Sequence, residues 1–390
     1  MRDVRDLDVA ARRVLVRADL NVPLRDGAIS DDTRIRAALP TLQYLLDQGA
    51  SLVVVSHLGR PKGEPDPGLS LKPVAERLAE LLGRPVELAP GVVGPEVTEA
   101  AHALQSGEVL MLENVRFEPG ETKDDLLLAR GLAELADFYV NDAFGAAHRA
   151  HSSTAGVAGL LPCAAGFLLQ REVETIEGIL ADPKRPMVAI VGGSKVSDKI
   201  LVLERFLEVA DLVLVGGAMV FPLLKAQGHG VGDSLCADED DEHARAALAA
   251  ASKPGAATLE LPVDLVIADR FAEDAERREL EGVDVPDGWM GLDIGPTSAA
   301  AYAAALADAG TVFWNGPMGA FEMEPYAAGT RRVAEAVAAC PGTTVIGGGD
   351  SAAAIEQFGL ADQVDWISTG GGAALELIEG RKLPGVEALR

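Results

Sequence analysis

Five arginines, Arg17, Arg34, Arg60, Arg116 and Arg149, stand where apolar runs in the first half of the sequence end or where its helices begin, with His57, His148 and His151 beside them. A guanidinium offers a planar fork of donors that matches carboxylate and phosphate oxygens two at a time. In a chain of 390 residues with a formal net charge of -26, such recurring cations point to a bound polyanion. Any one of them, taken alone, reads more plainly as a surface ion pair. Four loops carry them: Arg17-Ala-Asp19-Leu-Asn21, Ser56-His57-Leu58-Gly59-Arg60, Glu113-Asn-Val-Arg116, and Asn141 through Arg149 to His151. Convergence of all four on a small phosphorylated or carboxylated molecule explains more than four separate ion pairs. The histidines lack the H-x-x-x-H spacing of a helical metal site, so no metal is expected of them.

The second half uses glycine instead. Val191-Gly-Gly193-Ser-Lys195-Val-Ser-Asp-Lys199 ends an apolar run and opens a helical one. Lys195 and Lys199, four apart, share a helix face. Cations at a helix start oppose the dipole, and a phosphate bound there on exposed N–H groups resolves the conflict. The plain alternative is two solvated lysines. No Walker A pattern occurs. Gly216-Gly217, Asn315-Gly-Pro317 with Glu322, Gly347-Gly348-Gly349-Asp350-Ser351 and Ser368-Thr-Gly-Gly371-Gly-Ala373 make further turns of the same kind. Asp350 reads either as a helix N-cap or as the single carboxylate that Mg2+ takes beside nucleotide oxygens. Glu322 suits ribose hydroxyls, or is simply exposed. Together these turns describe a nucleotide site.

Strands and helices must alternate to present such loops. Val14–Arg17, Ser51–Ser56, Val109–Leu112 and Phe138–Val140 are apolar without alternation, and helical patterns at 33–48, 71–82 and 124–135 separate them. That pattern predicts a parallel sheet covered on both faces. The second half repeats it with runs at 188–191, 212–215, 265–267, 312–314, 344–346 and 364–367. The expected fold is α/β: two doubly wound, Rossmann-like parallel-sheet domains joined by a hinge helix. The expected division is residues 1–166, an interdomain helix 167–182, and 183–370, with the tail 371–390 returning to the first domain. Ligands of open α/β sheets bind beyond the carboxyl ends of strands, where the singled-out residues fall.

Composition narrows the partners. The acidic balance argues against nucleic acid and against an anionic membrane surface. Cys163, Cys236 and Cys340 are odd in number and widely spaced, which suits free thiols in a reducing, cytoplasmic setting. The N-terminus lacks an apolar signal region, and the run around 212–224 is too short and interrupted to span a bilayer.

With these segments in view, the chain closely resembles the phosphoglycerate kinases, from about Val14 to Val386. The resemblance rests on Arg17-Ala-Asp-Leu-Asn-Val-Pro23, Ser56–Pro61, Asp142–His151, Gly192–Lys199, Trp314–Glu322, Gly347–Ser351 and Ser368–Ala373, in that order. It implies reversible, Mg2+-dependent phosphoryl transfer from 1,3-bisphosphoglycerate to ADP, giving 3-phosphoglycerate and ATP, by a monomer. It implies that Arg17, Asp19, Asn21, Arg34, His57, Leu58, Gly59, Arg60, Arg116 and Arg149 bind the glycerate substrate. It assigns the nucleotide to Gly193, Lys195, Lys199, Gly216, Gly217, Asn315, Pro317, Glu322, Gly348, Gly349, Asp350 and Ser351, with Asp350 on the metal. Arg34, Lys195 and Gly371 are the expected catalytic set, and closure of the two lobes is expected to exclude water.

Departures are few. Leu20 replaces a common Phe, Ala218 a frequent glycine and Asp233 a common lysine; the last two bear on nucleotide affinity. Two rival readings are a two-domain NAD-dependent dehydrogenase and a non-catalytic two-lobed nucleotide-binding protein. The first wants a G-x-G-x-x-G turn with an acid about twenty residues on, a pairing the turns here do not supply.

Overall fold

The computed structural model describes residues 1–194 and 199–390. Lys195 lies outside the described residues. The chain forms two compact units, Met1–Thr175 with Gly380–Arg390, and Ile176–Glu379. The division falls inside the helix Phe167–Ala181, and the returning segment begins at Gly380, after the helix Gly372–Ile378.

The first unit is built on six parallel strands in the spatial order Val86–Leu88, Val109–Met111, Ser51–Val55, Arg13–Arg17, Phe138–Asn141, Cys163–Ala165. Ser51–Val55 is buried throughout, as a sheet covered on both faces requires. The helix Thr33–Asp47 packs Ile35, Ala38, Leu42, Leu45 and Leu46 into this core, the spacing of one helical face. Register then sets the site. Arg17 pairs with Val55 on one side and Asn141 on the other, so the three strands end level. Their following loops, with Asp19, His57 and Asp142, emerge from one edge.

The second unit has its own six-stranded parallel sheet, ordered Thr258–Glu260, Leu212–Val215, Met187–Val191, Thr311–Asn315, Thr343–Gly347, Trp366–Ile367. Val191, Asn315 and Gly347 share one level at its carboxyl edge. Trp314, Val312, Ile190 and Ile346 lie in the core. One sequence expectation is corrected here. The run at 265–267 is not a strand of the parallel sheet: Leu265–Ala268 pairs antiparallel with Arg277–Leu280 and Met290–Ile294. No helix separates these segments, and a parallel pairing needs a crossover of a dozen or more residues. The strand at the parallel sheet's edge is Thr258–Glu260, too short to show in the apolar pattern.

Candidate functional site

In the first unit the loops are tied together by the residues they carry. Asp19 accepts from Arg34 Nη1 at 3.3 Å and lies 4.0 Å from His57 Nδ1. Arg34, in the first turn of its helix, also donates to the backbone oxygen of Asn21 at 3.2 Å. The Asn21 side chain accepts from the Gly59 amide at 2.8 Å, while Arg116 Nη1 donates to the Gly59 carbonyl at 2.7 Å. Gly59 adopts φ +59, a left-handed turn that suits glycine. Arg149 Nε donates to His148 Nε2 at 3.1 Å. Arg60 is exposed and has no hydrogen-bond or ion-pair partner among the described residues.

Arg17 differs from the other four arginines. It is 1% exposed and donates Nε–H to Ser153 Oγ at 2.9 Å, Nη1–H to the Ala18 carbonyl at 2.6 Å, and Nη2–H to His57 Nδ1 at 3.0 Å. A guanidinium cannot accept, so His57 Nδ1 is the acceptor and the ring proton sits on Nε2. Burial holds the His57 pKa well below its ordinary 6.5, and the charges of Arg17, Arg116 and Arg34 push the same way. His57 is therefore a neutral donor at physiological pH. Burial also lowers the Arg116 pKa, helped by the like charges of Arg17 and Arg149. Neighbouring cations without enough acids between them are the signature of an anion site.

The second unit presents a cavity of about 590 Å³ at the carboxyl edge of its sheet. Gly193, Gly217, Pro317, Glu322 and Asp350 are among the residues around it, with apolar walls from Phe221 and Leu265. Three strand-to-helix turns meet there backbone to backbone. A Cβ on Gly192 would lie 2.1 Å from the Pro317 carbonyl oxygen, and one on Gly316 would lie 2.0 Å from that of Gly192. Lys199 Nζ donates to the carbonyls of Gly192 and Asn315. The Ser351 hydroxyl accepts from the Gly316 amide. Asn315 is 1% exposed, yet neither its amide nitrogen nor its oxygen has a hydrogen-bond partner among the described residues. A buried amide with nothing to bond costs stability unless a ligand completes it. Asp350 is exposed in the first turn of the helix Gly349–Gln357, and no cluster of three or more potential metal ligands occurs among the described residues. One carboxylate beside a nucleotide pocket fits an ion held mainly by phosphate oxygens and water.

The family model for phosphoglycerate kinase matches residues 4–381. The chain belongs to the phosphoglycerate kinase family. It is 57% identical over 386 residues to the phosphoglycerate kinase of Moorella thermoacetica, covering 99% of this chain and 98% of that protein. With the enzyme of Rubrobacter xylanophilus it shares 55% over 388 residues, covering 100% and 98%. Among solved structures, phosphoglycerate kinase from Coxiella burnetii superposes with a TM-score of 0.90 at 42% identity, over 99% of this chain and 98% of that one. Phosphoglycerate kinase from Pyrococcus horikoshii OT3 gives 0.86 at 33%, over 100% and 98%. The reaction is accordingly nucleotide-dependent phosphoryl transfer at the carboxyl group of phosphoglycerate. The dehydrogenase and the non-catalytic reading are set aside. No helix among the described residues is long and apolar enough to cross a membrane.

Within this phosphoglycerate kinase scaffold, the residues singled out by sequence fall in loops and helix starts at the two sheet edges just described, except Lys195, which lies outside the described residues. Leu58 is held by Asn114, which the sequence reading did not single out. Asn114 is fully buried; its oxygen accepts from the amides of Leu58 and Arg116, and its nitrogen donates to the carbonyls of Leu58 and Leu69. Gly348, at φ +86, faces the Asn315 amide, and Gly371, at φ +51, opens the helix Gly372–Ile378. Ser153 and Glu121, beneath Arg17, were also missed, because neither carries a charge pattern that marks it in one dimension.

Proposed function

We propose that the first unit binds 3-phosphoglycerate and 1,3-bisphosphoglycerate, and that the second binds ADP and ATP as Mg2+ complexes. The observation that carries the first half is the cation surplus: Arg60, Arg116 and Arg149 have no ion-pair partner among the described residues. Arg34, His57 Nε2–H and the loop of Asp19, Asn21, Leu58 and Gly59 complete the anion's surroundings. Arg17, being buried, acts by orienting His57. The orphaned Asn315 amide supports phosphates in the second unit, with Gly193, Lys199, Gly216, Gly217, Pro317, Gly348, Gly349 and Ser351 shaping the pocket and Glu322 taking the ribose. Asp350 would hold Mg2+, which supplies neutralisation of the nucleotide phosphates when bound.

Phosphoryl transfer asks for positioning and for charge on the equatorial oxygens, with little covalent work for the protein. The attacking oxygen belongs to ADP in one direction and to an ionised carboxylate in the other, so no general base is needed. Arg34 and Lys195 are assigned to the transferring group, and Gly371 a backbone donor, on the strength of the family resemblance. Three free cysteines suit a reducing cytoplasm, and a monomer is the form the family resemblance implies.

The test is a coupled assay of ADP formation from MgATP and 3-phosphoglycerate, with Arg60→Ala beside the unaltered protein. The variant is expected to raise the KM for 3-phosphoglycerate about tenfold and leave that for ATP unchanged. Equal losses for both ligands contradict the division of labour.

A further inference from the structure

Behind the arginines of the first unit lies a carboxylate to which the reaction gives no task. Glu121 stands in the short turn Glu121–Lys123 and is fully buried. Its Oε1 accepts from Ser153 Oγ at 2.6 Å, and its Oε2 from the Ser153 amide at 3.0 Å. His151 Nδ1 lies 3.5 Å from Oε1. Burial pushes this carboxyl up, but the His151 and Ser153 hydrogen bonds and the Arg17 charge outweigh it and hold it below 4.5. It is an ionised acid in the protein interior.

The direction of every bond leading away from Glu121 is fixed. Arg17 Nε donates to Ser153 Oγ, so the single hydroxyl proton goes to the carboxylate. Arg17 Nη2 donates to His57 Nδ1, so the imidazole proton is on Nε2. Tyr139, also buried, donates its hydroxyl to the Ser153 carbonyl at 2.7 Å and pins the bridge in place. A cation as buried as Arg17 requires a counter-charge, and Asp19, the other acid nearby, is paired with Arg34. Glu121 is the remaining candidate.

We propose that Glu121 is a positioning residue for phosphoglycerate: through Ser153 and Arg17 it holds His57 as an Nε2–H donor at the anion site. The inference rests on the reading of the first unit as the phosphoglycerate site. It extends that reading to a residue that does not touch substrate and acts through two others. A residue that only capped the Ser153 loop would stabilise the fold without favouring either His57 tautomer.

The experiment uses the full-length protein with Glu121→Gln, Ser153→Ala and the double variant, with Arg116→Ala as the control for the underlying reading. Expected are a KM for 3-phosphoglycerate raised about tenfold in Glu121→Gln, a smaller rise in Ser153→Ala, and little change in the KM for ATP. The double variant should lose no more than Glu121→Gln alone, because one relay is cut twice. Imidazole nitrogen NMR should show His57 protonated on Nε2 in the unaltered protein and as a tautomer mixture in Glu121→Gln. Full additivity, or an unchanged His57 spectrum and KM in folded Glu121→Gln, overturns the proposal. If Glu121→Gln does not fold, Ser153→Ala decides: a raised KM with a mixed tautomer supports the relay, and no change in either refutes it. If Arg116→Ala also leaves the KM for 3-phosphoglycerate unchanged, the site reading itself fails; if it raises the KM while the relay variants do not, the failure belongs to Glu121 alone.

Discussion

On the proposed assignment of ligands, the two units meet their anions by different means. The first relies on long cationic side chains set by polar neighbours: Asp19 and the Asn21 carbonyl take the Arg34 fork, Asn114 takes the Arg116 amide, and Glu121 reaches Arg17 through Ser153. The second surrounds its cavity with glycine turns and apolar side chains such as Phe221 and Leu265, and its turns pack so closely that Gly192 and Gly316 leave no room for a methyl group. A side-chain site tolerates rearrangement, since each guanidinium has several rotamers and neighbours that share its work. A backbone site does not, because the peptide planes that shape the pocket are the same ones that close it.

The sharpest way to break this contrast is Gly192→Ala. The added Cβ meets a carbonyl oxygen at 2.1 Å, and a backbone atom cannot swing aside as a side chain does. Overpacking of this kind costs about 1–3 kcal/mol or more, and here the strain falls on the pocket wall. Nucleotide affinity should drop on the order of 100-fold, measured by ADP titration calorimetry, while 3-phosphoglycerate binding stays within about twofold. Comparable losses for both ligands would show that the units are not independent in recognition.

This difference also explains what could be read in one dimension. Arginines at strand ends stand out in an acidic sequence, and glycine triplets after apolar runs mark sharp strand-to-helix turns, so the loops of both candidate sites are legible. Asn114, Ser153 and Glu121 were not, since their importance comes from neighbours far away in sequence: Asn114 reaches Leu58 and Leu69, and Ser153 joins Arg17 to Glu121. The burial of Arg17 was hidden for the same reason. Parallel strands with helical crossovers were legible from their apolar runs, whereas the antiparallel excursion through Leu265–Ala268 carried the same apolar signature and differed only in what followed.

Buried acids sharpen the comparison through pH. Glu121, hydrogen-bonded by Ser153 with the Arg17 charge behind it, is held below the ordinary range, so its stabilising contribution is present above about pH 4.5 and lost as pH falls through its lower native pKa. Asp293, at the cavity of the second unit, accepts from the amides of Ile294 and Gly329, and burial raises it from 3.8 to about 8. Between those values the folded state keeps a proton that the unfolded chain has released, so stability falls as pH rises from about 4 to about 8 and levels off above. The cause is local chemistry rather than the unit: Asp142, which caps the helix Phe167–Ala181 through the Leu168 and Leu169 amides, is likewise raised to about 7 in the first unit. Asp293→Asn, which has no proton to release, should flatten the fall in Tm between pH 5 and 8 by several degrees. An unchanged slope would mean that the carboxyl is already ionised at pH 5.

The smallest expected effect concerns salt, and two opposing terms must be weighed. The net charge of -26 repels any anionic substrate, and screening that repulsion would tighten binding. The arginine cluster attracts it at contact distance, and screening would loosen binding. Range decides between them. At 0.1 M the Debye length is about 10 Å, so acids spread over the rest of the molecule are already muted, while guanidiniums touching the ligand are not. From 0.1 to 0.5 M KCl the local term therefore dominates, and the KM for 3-phosphoglycerate should rise about two- to threefold. The KM for MgADP should rise less, because backbone amides and an apolar cavity are less sensitive to ions than paired charges. A steeper salt dependence for MgADP than for 3-phosphoglycerate would reverse the assignment of side-chain charge to one unit and backbone to the other.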